Sequence, residues 1–139
     1  MSQWTHVAGI IRFDGFVKPD LGKVVSLEYC NMSDDEYEKA CEECEVPMGS
    51  EDSLQHQLWT NPREGNAARY TAMIWGDLRD YNDVDEIVAY FNRIVKGQRI
   101  RQACFEVDVT ECPTMIFQYN QSSKVFQKMT TKEKYGKNI

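Results

Sequence analysis

Two kinds of side chain in this sequence could do chemistry: five cysteines and two histidines. Cys41 and Cys44 form a Cys-x-x-Cys pair. A reactive pair of this kind opens a helix, where the dipole lowers the thiol pKa. Here it falls in the last turns of a predicted helix, with Glu42, Glu43 and Glu45 around it, and all of these disfavour the thiolate. A zinc site needs two further ligands. Cys30, Cys104, Cys112, His6 and His56 are available, but no second close pair exists. The pair reads as two small apolar residues on a buried helix stripe. No metal and no other cofactor is expected.

A histidine near Glu106 or Asp108 would make an oriented general base, and Asp14, Asp77 and Asp80 fall at predicted strand ends. Against catalysis, the chain has no nucleophile motif, no glycine-rich phosphate cradle and no metal-spaced His or Asp pattern. No catalytic residue is assigned, and the reading leans away from an enzyme.

These residues need elements to place them. Residues 4–13 alternate as a strand, with Trp4, His6, Ala8, Ile10 and Arg12 on one face. Thr5, Val7, Gly9, Ile11 and Phe13 take the other. Residues 54–60 and 68–76 read as a hairpin around "NPREGNA", and residues 103–109 as a strand with Ala103, Phe105, Val107 and Val109 inward. A last hairpin turns at "QSS". Ser33 and Glu36 form a capping box that opens one helix, which Pro47 and Gly49 stop. A second helix opens at Asn82 or Asp83, buries Val84, Ile87, Val88, Phe91 and Val95, and ends at Gly97. Residues 16–32 fit either a short helix or a strand.

The order β, α, β, β, α, β predicts an α+β fold, a ferredoxin-like βαββαβ sandwich with an additional C-terminal β-hairpin. Residues 1–120 form the single domain with the start of the hairpin, and 121–139 hold its end and a basic mobile tail. In that fold the first and fourth strands are neighbours at the sheet centre, and one sheet face stays open. Trp4, His6 and Arg12 then share the open face with Cys104, Glu106 and Asp108.

Charge narrows the partners. The chain carries a net charge of -6, and residues 28–52 hold ten acids against Lys39 alone. Such a field repels nucleic-acid phosphate. Arg93, Lys96, Arg99 and Arg101 form a small basic cluster that reads as helix-end charge and solvated loop. No apolar run spans a membrane, and no basic region followed by an apolar run opens the chain. The odd cysteine count fits a reduced, cytoplasmic setting.

Two protein-binding surfaces follow. One is the open sheet face with Trp4, His6, Arg12, Glu106 and Asp108, and with Trp59 and Trp75 as further aromatic anchors. The same face would serve a homodimer. The other is the acidic segment with Asp34, Asp35, Glu38, Glu42, Glu43 and Glu45. The alternative is a site for a small anionic ligand, such as a signalling nucleotide, bound or processed by His6, Arg12, Arg69 and Tyr70.

The stretch "WTHVAGIIRFD" resembles the openings of small accessory proteins encoded by bacteriophages. The resemblance covers the first strand and implies a non-enzymatic protein in a bacterial host. It implies one that blocks host defence machinery, CRISPR nucleases included, by protein contact or DNA mimicry, or one that sequesters a signalling nucleotide.

Overall fold

The computed structural model describes residues 3–14, 19, 33, 35, 46–60 and 70–129. Six strands form one sheet: β1 (Trp4–Phe13), β2 (Gln55–Thr60), β3 (Tyr70–Arg79), β4 (Ile100–Val109), β5 (Met115–Asn120) and β6 (Val125–Met129). Their order is β2-β3-β1-β4-β5-β6, and every neighbouring pair is antiparallel. One helix, α1 (Val84–Val95), is described, and it packs on one face of this sheet.

The alternation in β1 becomes its burial pattern. Val7, Ile11 and Phe13 are buried under α1, while His6, Ala8, Ile10 and Arg12 are exposed. Gly9 has a packing reason. A Cβ there would stand 2.8 Å from Phe105 Cβ and 2.9 Å from the Phe91 ring, so only a glycine lets the helix approach this closely. β4 follows the same rule, with Ala103, Phe105, Val107 and Val109 all buried.

α1 begins where the sequence places it. The Asp83 side chain accepts a hydrogen bond from the Glu86 backbone N–H at 3.1 Å, and Asp85 and Glu86 sit at the positive end of the dipole. Tyr81 donates its hydroxyl proton to Glu86 at 2.7 Å. Burial, then the bond to Glu86 and its charge, raise the phenol well above its ordinary pKa. The chain leaves the helix at Gly97 in a left-handed conformation, φ 76°. The buried stripe is Ile87, Tyr90, Phe91, Ile94 and Val95, and the predicted Val84 and Val88 are only half-buried. Tyr90 and Ile94 widen the stripe, which faces a sheet of six strands rather than four.

That width overturns the predicted fold class. The described residues build a β-rich, six-stranded antiparallel sheet with one helix, not a ferredoxin-like βαββαβ sandwich with two. The C-terminal hairpin is no appendage. β5 pairs along β4, and β6 completes the sheet, so residues 121–129 belong to the same unit. Phe117 and Phe126 join the core, and the Phe126 ring meets Phe91 and Phe105 edge-on. The Asn92 side chain accepts the Phe126 backbone N–H at 2.9 Å and ties α1 to β6. Asn120 makes the tight turn before β6, its side chain accepting the N–H groups of Ser122 and Ser123 at 2.9 Å each. The neighbouring placement of β1 and β4 at the sheet centre is as expected. The helix predicted from Ser33, the "NPREGNA" turn, residues 20–32 and the tail 130–139 lie outside the described residues. Among the described residues no helix is long and apolar enough to cross a membrane.

Candidate interaction face

Opposite α1 the sheet is open. Register sets its side chains in rows, because directly paired residues point to the same side. One row runs Gln55, Trp75, Ala8, Glu106, Ile116, Met129. The next runs Gln57, Met73, Ile10, Cys104, Gln118, Gln127. Trp59, Thr71, Arg12 and Gln102 share one end of the face, and Asp77, His6 and Asp108 share the other.

The middle of this face is apolar. Among the described residues the exposed large hydrophobic side chains are Ile10 (47%), Trp59 (49%), Trp75 (43%) and Val125 (41%). Every one of them stands on this side of the sheet, as register shows. So do all three tryptophans of the chain. Ile10 and Trp75 border a depression of about 400 Å³, walled also by Ala8, Met73, Cys104, Glu106 and Ile116. Its floor lies at Ala8, whose side chain is short, while Ile10 and Trp75 rise around it. Scattered exposed apolar residues are ordinary, but four large ones on one face, two of them bordering a hollow, are the pattern of a contact surface.

The polar end is ordered. His6 Nδ1 and Asp77 Oδ1 are 2.5 Å apart, with Asp108 paired to His6 from the other side. The Trp4 and His6 rings are parallel to within 2°, their centroids 6.4 Å apart. Trp4 is pinned through its backbone, which exchanges hydrogen bonds with Thr110. Arg79, beside Asp77 on β3, is held by Glu51 at 2.7 Å. A histidine oriented by a carboxylate has the form of a general base. The other His6 neighbours on this face are Trp4 on the same strand and Asp108 across the sheet.

Trp4, His6, Arg12, Trp59, Trp75, Glu106 and Asp108 come together on the open face. The described members of the anionic-ligand set do not converge. His6 and Arg12 are six residues apart on β1, about 20 Å. Tyr70 pairs with Phe13 and packs against the core on the other side of the sheet, and Arg69 lies outside the described residues. A small anion cannot bridge these positions. Of the acidic segment, Asp35 is exposed, and Asp34, Glu38, Glu42, Glu43 and Glu45 lie outside the described residues, as do Cys41 and Cys44. His56 pairs with buried Ile74 and so points to the helix side, where burial lowers its pKa. Among the described residues no group of three or more His, Cys, Asp and Glu side chains is arranged to hold a metal ion.

Sequence reading missed Met73 and Ile116 as part of the face, and Asp77 as the partner of His6. Nothing local marks them, since each is set beside β1 or β4 by cross-strand register. Comparison with known protein families, curated protein sequences and solved structures finds no match.

Proposed function

We propose that this protein is a non-catalytic binding module that works by protein–protein contact through the open face of its sheet. The observation that carries this reading is the shared location of Ile10, Trp59, Trp75 and Val125 on one sheet face, with Ile10 and Trp75 bordering an apolar hollow. Large aromatic and aliphatic anchors in a central patch with a polar, charged surround are what protein interfaces use. Here the surround is Arg12 at one end and Asp77, His6 and Asp108 at the other.

The chain reports on its own surface, because all its tryptophans are there. Acrylamide quenching of tryptophan emission tests the reading. When the face is engaged, Trp59 and Trp75 become protected, and Ile10→Lys abolishes the protection. Protection that survives Ile10→Lys would place the contact elsewhere. A thermal-shift screen with nucleotides should show no stabilisation, since the anion-binding candidates stand apart.

A further inference from the structure

We propose that the occupant of the open face is a second copy of this chain, packed sheet on sheet about a two-fold axis that runs across the strands between Ala8 and Ile10. This rests on the open face being a contact surface, and adds what covers it. Three observations support it.

The first is area. At about 3.3 Å per residue and about 4.8 Å between strands, the six strands present about 750 Å² of face. A stable interface of standard size covers about 800 Å² on each partner. The face is the right size to be covered once, by an equal.

The second is charge. The acids of the face, Asp77, Asp108 and Glu106, lie toward the His6 end, where Arg79 is already held by Glu51. Arg12 stands at the opposite end of the same strand. A two-fold axis across the strands reverses strand direction, so each Arg12 is carried over the Asp77–His6–Asp108 row of the other copy. An axis along the strands would instead lay the two acidic rows on each other. Self-complementarity of this kind is what an isologous dimer requires.

The third is shape. Residues equidistant from the axis on β1 exchange places, so Ile10 of each copy lies over Ala8 of the other. The projecting side chain, 47% exposed, meets the shortest side chain of the hollow. Trp75 and Met73 exchange in the same way on β3, because they pair with Ala8 and Ile10. Two twisted sheets packed face to face interleave their side chains in this manner.

The test uses the full chain in multi-angle light scattering and sedimentation equilibrium from about 1 µM to 1 mM. The expected result is a mass twice the 16.2 kDa of one chain. Ile10→Lys should weaken the dimer at least about tenfold, with the circular dichroism and melting of the folded sheet retained. Arg12→Glu should weaken it, and so should the double variant Asp77→Lys, Asp108→Lys. An equimolar mixture of the two charge-reversed chains would match charge at both contacts of the mixed dimer and recover association, and so would the triple variant with itself. A dimer indifferent to Ile10→Lys, or reversals without recovery, would overturn the proposal. A monomer at every concentration would overturn it too. If that monomer, immobilised as bait, captures another protein that Ile10→Lys releases, the contact reading stands and only the second copy falls. If Ile10→Lys changes neither association nor capture, both fall.

Discussion

The Phe91 ring lies flat on the Phe105 ring, their centroids 3.9 Å apart and their planes within 5°, directly above Gly9. This stack joins α1 to the two central strands, and it exists because position 9 has no side chain. Gly9→Ala should therefore cost about 1–3 kcal/mol, as overpacking does. Phe91→Ala should cost about 3–5 kcal/mol through the cavity it leaves. Urea unfolding checks both. A neutral Gly9→Ala would mean that the helix is free to lift.

Gly49 is a second position of close approach. A Cβ there would fall 2.6 Å from the Arg79 backbone nitrogen and 2.7 Å from its oxygen. Neither atom can yield without breaking the contact in which the Ser50 N–H meets the Arg79 carbonyl at 2.9 Å. Gly49→Ala should destabilise by about 2 kcal/mol or more, read as a shifted urea midpoint at unchanged slope.

The His6–Asp77 pair predicts the reverse. Both side chains are exposed, so the pair is screened by water and contributes about 0–1 kcal/mol. His6→Ala should leave stability within that range while weakening association through the open face. A large loss of stability with unchanged association would assign His6 to folding instead.

His56 gives the fold a pH dependence. Burial lowers its pKa in the folded chain below the ordinary 6.5. As pH falls through 6.5 the unfolded chain takes the proton first, so this contribution to stability is lost toward acid and regained above 6.5. His56→Gln should flatten the stability profile between neutral pH and the lowered folded-state value. Parallel profiles for the two proteins would contradict this.

Glu106 is the one charge in the two central rows of the open face. Covering the face desolvates that carboxylate, which opposes association. Glu106→Gln should tighten the contact by about 1 kcal/mol or more, measured as a lower dissociation constant. A weakened contact would show that Glu106 meets a cation across the interface.

Reading by residue type and spacing reached the strand over 4–13, the start of α1 at Asp83, and the inward set on β4. These depend on neighbours close in sequence: a period of two for strands, and a capping carboxylate for the helix. The same logic set Trp4, His6 and Arg12 against Val7, Ile11 and Phe13. It failed on the fold class because nothing local in "MIFQYN" or "VFQKM" says whether that hairpin stands apart or extends the sheet. Phe117 and Phe126 decide it by packing against Phe91 and Phe105, residues far away in the chain.

The open face divides in the same way. That β1 has an apolar side and an odd row of Trp, His and Arg was determined by sequence alone, since successive Cβ atoms must point to opposite sides of a strand. Which residues complete that row was decided only by tertiary structure. Pairing in register brings Asp77 to His6, Trp75 to Ala8 and Met73 to Ile10, and sends Tyr70 to the other side. A shift of one residue in β3 would reverse all of these. The choice is made by the core, where Ala72, Ile74 and Leu78 must lie inward with Val7, Ile11 and Phe105.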